Sequence, residues 1–302
     1  MLDWKRTYAP LVGGALVALG VGALWFYRAY RVVRIEATCF SPPTGPVAVP
    51  AILADLPGRR DVGFRACGGV EIRGWYFSSR NRAAVLLAHG TDNDRRQLAP
   101  FARTLIDEGF GVLAFDFPGH GESGGRVTFG RCEVDALLQA TSFLAAEPDV
   151  DPARIGAIGL SMGAVLLAVA APEEPRLRSL VLISPFADSV EQTKNEVSRL
   201  NWLARWGTLT VDRYYMPDGP LRPVDAVSGI KDRSVLVVGV ADDRTVPLAM
   251  TRQVYDAVDA QSVKKDFFVV PTGGHANVTV LAAGACAERI VGFCRKTLLG
   301  IH

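Results

Sequence analysis

A serine stands between two glycines in "RIGAIGLSMGAVLLAVA", residues 154–170, where an apolar run gives way to an alanine-rich one. A sharp turn from strand to helix holds its central residue at unusual backbone angles, and the residues two positions either side must be nearly without side chains to avoid collision. Gly159 and Gly163 supply that clearance around Ser161. The hydroxyl then projects from the turn, while the next amide, that of Met162, opens a helix where backbone N–H groups have no intrahelical partner. A nucleophile beside an oxyanion donor is the chemistry such a turn provides. In a chain with 30 glycines the G-x-S-x-G pattern alone is a weak signal. Its meaning depends on whether a base and an acid are also supplied.

Only four histidines are available: His89, His120, His275 and His302. His302 is the last residue, and His89 and His120 both precede Ser161 in the chain. His275 follows the last apolar run in "VVPTGGHANV", where two glycines let the loop turn the ring inward. The acid belongs after the preceding run, and "VLVVGVADDRTVPLAM" offers Asp242 and Asp243 there. One of the two would fix the tautomer of His275 and stabilise the imidazolium formed when Ser161 loses its proton. Serine, acid and histidine follow in the chain order that a doubly wound sheet brings to one crevice.

The elements that would position these groups are legible in the hydrophobic pattern. "DVGFRA" and "VEIRGWYF" form an antiparallel pair about a glycine turn. The runs "AVLLAHG", "GVLAFDF", "RIGAIGL", "SLVLIS", "SVLVVGV" and "DFFVVP" are continuously apolar, and each is followed by a stretch with helical spacing. Continuous rather than alternating character means that both faces are covered, which predicts a mostly parallel sheet flanked by helices. The rhythm breaks between "SLVLISPF" and "SVLVVGV", where residues of about 188–233 predict a cap insertion. Its Trp202, Trp206, Tyr214 and Tyr215, with Leu200, Leu203 and Leu209, either dock the cap or line a pocket above Ser161.

On these motifs the chain resembles the α/β-hydrolase superfamily over most of residues 61–298. "GLSMG" is similar to the nucleophile elbow, and "DFPGHGES" to the stretch after the next strand. "LLAHGT" resembles the His-Gly turn that gives the second oxyanion amide, which implies the N–H of Thr91 and structural roles for His89 and His120. "DDRTVP" is similar to the acid loop of the prolyl oligopeptidase group, whose first aspartate is catalytic. That implies Asp242, although counting back from Pro247 selects Asp243. Two departures stand out: Ala164 replaces a further glycine, and "HGTDND" sets Asp92 and Asp94 beside the oxyanion turn, where negative charge opposes an oxyanion unless it points away.

With 302 residues, a net charge of +2 and 49% hydrophobic residues, the chain is neither disordered nor a nucleic-acid binder. Residues 7–27, "TYAPLVGGALVALGVGALWFY", carry no charge and approach the roughly 20 residues that a bilayer-crossing helix needs. No A-x-A cleavage site follows, and Arg28, Arg31 and Arg34 do, so a transmembrane anchor is expected rather than a signal peptide. The expected organisation is an anchor over 1–34, a proline-rich linker over 35–60 and a hydrolase domain over 61–302. The five cysteines make no C-x-x-C pair; Cys39 and Cys67 could bridge outside the cytosol, but buried thiols are the ordinary expectation. "GHGESG" spells a dinucleotide fingerprint, yet "GRVTFG" after it is a poor helix opening, so no nucleotide is expected. The expectation is therefore a membrane-anchored serine hydrolase without cofactor or metal, acting on a small-molecule ester or thioester through an acyl-enzyme. A peptidase or amidase on the same fold, or an idle binding protein, are the alternatives.

Overall fold

Strand β3 (Ala84–Ala88), β4 (Gly111–Phe115) and β5 (Ile155–Leu160) are buried at every position. In the computed structural model, which describes residues 42–198, 219–260, 263–275 and 277–301, these runs lie at the centre of an eight-stranded sheet. The remaining strands are β1 (Arg59–Ala66), β2 (Val70–Phe77), β6 (Leu177–Ile183), β7 (Arg233–Val240) and β8 (Val263–Val270). Their order is β1-β2-β4-β3-β5-β6-β7-β8. The first two form the expected antiparallel pair and β2 runs antiparallel to β4, while every pairing from β4 to β8 is parallel.

Successive residues of a strand point to opposite faces, and the core divides accordingly. Leu86, Leu180 and Leu182 enter one apolar cluster, and Val85, Leu87, Val181 and Ile183 the other. Helices α2 (Arg131–Ala146), α3 (Met162–Ala170) and α5 (Leu248–Ala257) cover the first face with Leu137, Leu166 and Val254; α1 (Ala99–Asp107) and α6 (Gly284–Cys294) cover the second with Phe101, Leu105 and Ile290. Both faces are closed, so the loops at the strands' carboxyl ends are left to carry chemistry. One more helix, α4 (Ser189–Val197), follows β6 and opens the insertion. Asp188 caps it, accepting from the amides of Val190 and Glu191.

Two expectations change. Part of the segment assigned as linker packs on the body: Val47 and Leu53 are buried in the second cluster, and the amide of Val47 donates to Glu122 Oε1 at 3.0 Å. Apolar side chains placed among the prolines of this stretch give it a surface to bury, so the domain begins before Asp61. The cysteines also depart from the expectation of buried thiols. Cys67, in the β1–β2 turn, and Cys132, at the start of α2, form a disulfide that closes a separation of 65 residues. Cys286 and Cys294 remain buried thiols, pushed up by burial to about 11 and about 12.

The anchor expected over residues 7–27, Cys39, and the cap residues Leu200, Trp202, Leu203, Trp206, Leu209, Tyr214 and Tyr215 lie outside the described residues. Among the described residues no helix is long and apolar enough to cross a membrane. "GHGESG" forms a turn that closes on Asp116, where a Cβ at Gly121 would lie 2.2 Å from Asp116 Oδ2. The next helix begins only at Arg131, so this turn offers no helix N-terminus to a pyrophosphate.

Candidate active site

Ser161 sits between β5 and α3 with φ 52° and ψ −117°, a positive-φ conformation that a residue with a side chain rarely adopts. The sheet and the glycines hold it there. Its amide donates to the Ile183 carbonyl at 2.8 Å, extending the β5–β6 ladder by one residue. A Cβ at Gly163 would lie 2.2 Å from the Ala88 carbonyl oxygen, and one at Gly159 would lie 2.5 Å from the Gly163 carbonyl oxygen. Helix and strands therefore approach at distances that exclude a side chain at either position. Ala164, the departure from the usual further glycine, is fully buried in the core and accommodated there.

The loop after β8 brings His275 over this turn, with Nε2 2.9 Å from Ser161 Oγ. Its Nδ1 lies 2.7 Å from a carboxylate oxygen of Asp243, not of Asp242. This corrects the acid implied by the resemblance, and the turn after β7 gives the reason. Asp243 Oδ1 accepts from the amides of Thr245 and Val246, both at 2.9 Å, which anchors its buried carboxylate and leaves Oδ2 facing the ring. Asp242 faces outward and accepts from the amides of Gly273 and Gly274 at 2.9 and 2.8 Å. It braces the loop that carries His275 instead of touching the imidazole. Because a carboxylate can only accept, Nδ1 carries the proton and Nε2 is left to accept from the serine hydroxyl.

The residues expected to supply the oxyanion amides are Met162 and Thr91. Met162 is the first residue of α3, whose leading N–H has no preceding helical turn to bond. Thr91 follows β3 and lines the same cavity as Ser161 and His275. His89 and His120 lie beneath, with ring centroids 4.9 Å apart. His89 Nε2 accepts from the Phe117 amide at 3.0 Å, which makes Nδ1 the donor to the Gly90 carbonyl at 2.8 Å. Burial, reinforced by His120, lowers the His89 pKa to about 3, and burial lowers that of His120 to about 4. Both rings are neutral parts of the scaffold.

The two acidic departures part company. Asp94 is buried against Arg96, at 2.6 Å between Oδ2 and Nη2; burial alone would raise its carboxyl, but the Arg96 hydrogen bonds and charge hold it below the ordinary range. Asp92 instead lines the cavity, and burial followed by the charge of Glu196 pushes it up to about 6. The cavity holds about 320 Å³, with Phe129, Phe186, Leu221 and Val246 among its walls. Glu196, Gln192 and Ser189 of α4 also line it. Their place at the site was not read from the sequence, where α4 was only the start of an insertion. Among the described residues no cluster of His, Cys, Asp or Glu is grouped to hold a metal ion.

Comparison with known proteins decides the family. The model described as serine aminopeptidase, S33 matches residues 79–263. The chain belongs to this family of the α/β-hydrolase superfamily. The uncharacterized protein Rv2307c of Mycobacterium tuberculosis is 30% identical over 286 residues, covering 94% of this chain and 93% of that one. A thiohydrolase, aneE, of Aspergillus aculeatus is 31% identical over 137 residues, 43% of this chain and 42% of its own. The esterase Pf2001 of Pyrococcus furiosus superposes with a TM-score of 0.71 at 22% identity, over 85% of this chain and 99% of that one, a likeness of fold. The protein is an α/β-hydrolase-fold enzyme of hydrolase type.

Proposed function

We propose that this hydrolase cleaves a carboxylic ester or thioester with Ser161 as nucleophile, His275 as general base and acid, and Asp243 as the orienting acid. The observation that carries the reading is the continuous relay from Ser161 Oγ through His275 to Asp243, at 2.9 and 2.7 Å, opening into the cavity. Ser161 Oγ attacks the acyl carbonyl as His275 Nε2 takes its proton, and the amides of Thr91 and Met162 stabilise the tetrahedral oxyanion. The alkoxide or thiolate leaves with the proton returned by His275. A water then gives one proton to the same nitrogen as its oxygen bonds to the acyl carbon; the bond to Ser161 Oγ breaks, Oγ takes that proton back from His275, and the acid departs. A thioesterase-type substrate is supported by the thiohydrolase relative, and an ester by the esterase neighbour.

A fluorophosphonate probe tests the nucleophile directly. It is expected to label the wild-type protein at Ser161, located by peptide mass mapping, and a panel of esters, thioesters and peptides ranks the leaving groups. A folded protein that takes no label would instead support the idle binding alternative.

The disulfide bears on location. Disulfides persist in oxidising compartments, so with residues 7–27 as an anchor we place the catalytic domain on the oxidising side of the membrane. Loop-entropy arguments give about 4 kcal/mol for a bridge of this span, or roughly 10 °C in melting temperature for a domain of this size. Chain isolated from membranes is expected to hold Cys67 and Cys132 unreactive toward a thiol reagent until reduced, and then to melt lower by about that amount. Two reactive thiols at these positions in freshly isolated, denatured protein would put the domain on the reducing side.

A further inference from the structure

In the turn after β3, three of the four backbone polar groups of Gly90 and Thr91 are bonded among the described residues. Asn93 Nδ2 donates to the Thr91 carbonyl at 3.1 Å, His89 Nδ1 donates to the Gly90 carbonyl at 2.8 Å, and the Gly90 amide donates to the side-chain oxygen of Gln97 at 2.6 Å. The fourth, the Thr91 amide, has no acceptor among the described residues. In a planar trans peptide the C=O and the next N–H point in opposite directions. Turning the Gly90 carbonyl onto the His89 ring therefore turns the Thr91 N–H away from that ring, in a turn that lines the cavity with Ser161 and His275.

The bond from Gln97 is the one that reaches back from another element. Gln97 stands just before α1 and lines the same cavity. Its backbone is held from several sides: its amide donates to the Asp94 carbonyl at 2.9 Å, the neighbouring Arg95 amide donates to Asp116 Oδ1 at 2.8 Å, and the buried Arg95 guanidinium pairs with the same carboxylate at 3.2 Å. Its amide orientation is set by its partner, because an N–H requires an acceptor and so the oxygen faces Gly90. Gly90 in turn packs on the nucleophile turn, where a Cβ would lie 3.5 Å from Ser161 Cβ and 3.4 Å from the Leu160 carbonyl oxygen. A rotation of Gly90 would carry the Thr91 amide with it relative to Ser161. Glycine restrains its own backbone less than any other residue, so the restraint has to come from outside.

We propose that Gln97 is a positioning residue of the reaction: by holding the Gly90 amide it aims the Thr91 N–H at the oxygen of the scissile carbonyl. The role rests on the hydrolase reading above. An oxyanion forms in both acylation and deacylation, so a misaimed amide slows the two steps together and leaves KM nearly unchanged. A side chain that only fastened α1 to the sheet would instead lower the melting temperature and the fraction of active sites, with kcat per active site unaltered.

Gln97→Met keeps the length of the side chain and removes the acceptor. With active sites counted by fluorophosphonate labelling taken to completion, kcat per site toward p-nitrophenyl butyrate is expected to fall roughly 30-fold, with KM within about twofold; losing an oxyanion donor outright costs about 10²–10³. An alkyl trifluoromethyl ketone reads the oxyanion without turnover: Ser161 Oγ bonds to the ketone carbon, its proton passes to His275, and the ketone oxygen becomes the anion that the amides hold. Its inhibition constant is expected to rise by about the factor by which kcat falls. Gln97→Ala, which adds no bulk, gives the same two readouts should the methionine disturb folding. Ketone affinity that stays at the wild-type level in the folded variants overturns the role, whatever happens to turnover, and so does a loss carried by KM alone. A wild type that neither labels nor turns over ester would overturn the hydrolase reading itself, whereas an active wild type with unaltered variants removes only the role of Gln97.

Discussion

Ser161→Ala is expected to fold as the wild type does and to lose ~10⁴-fold or more in kcat/KM toward p-nitrophenyl esters. The fold is spared because the strain at this position belongs to the backbone and the Cβ, both of which alanine retains at φ 52°. The hydroxyl's hydrogen bond is to His275 Nε2, and His275 is partly exposed, so water can replace it at a cost of about 1 kcal/mol or less. The loss of rate is large because groups acting as one unit fail together: without Oγ the base has no proton to take and no acyl-enzyme forms. Steady-state rates and a melting curve on the purified variant check both halves. Wild-type turnover in a folded Ser161→Ala protein would remove Ser161 from the chemistry.

The sequence shows most clearly what steric exclusion and burial dictate. Gly159 and Gly163 could be read because the elbow leaves them no alternative, a Cβ at either one meeting backbone at 2.5 or 2.2 Å. The central strands could be read because covering both faces demands continuous apolar runs. His275 emerged from four candidates by elimination. What escaped depends on tertiary pairing that leaves little local trace. Asp242 and Asp243 are adjacent and chemically identical, and only the amides of Thr245 and Val246 decide which one turns inward. The Cys67–Cys132 bridge joins a hairpin turn to a helix 65 residues away, so no spacing announces it. The polar wall of the cavity exists because Gln192 and Asn195 of α4 both donate to the Thr245 carbonyl, tying the helix to the acid loop. One signal for the wall was present in the sequence, the unusual Asp92 beside the oxyanion turn. The fold resolves it by meeting the Asp94 charge with Arg96 and leaving Asp92 at the rim.

The neighbouring aspartates are expected to differ by about three orders of magnitude when each is replaced by asparagine. In Asp243→Asn the two amides of Thr245 and Val246 still demand an acceptor, so the new carboxamide keeps its oxygen toward them and turns its NH₂ toward His275. A donor facing Nδ1 forces the ring proton onto Nε2, where it blocks acceptance from the serine hydroxyl. The wrong tautomer and the missing negative charge together cost ~10⁴-fold in kcat, the size seen when a serine protease acid is changed in this way. In Asp242→Asn the amide oxygen can still accept from Gly273 and Gly274, so the loop carrying His275 keeps its brace and the loss stays within roughly tenfold. The relay also predicts where each loss appears: Asp243→Asn lowers kcat with little change in KM, since Asp243 is buried behind the ring and does not line the cavity. Paired kcat and KM measurements on the two variants, with fluorophosphonate labelling rates as a second readout, settle the ranking. Equal losses, or a larger loss at Asp242, would return the acid role to Asp242 and require the β7 loop to rearrange on substrate binding.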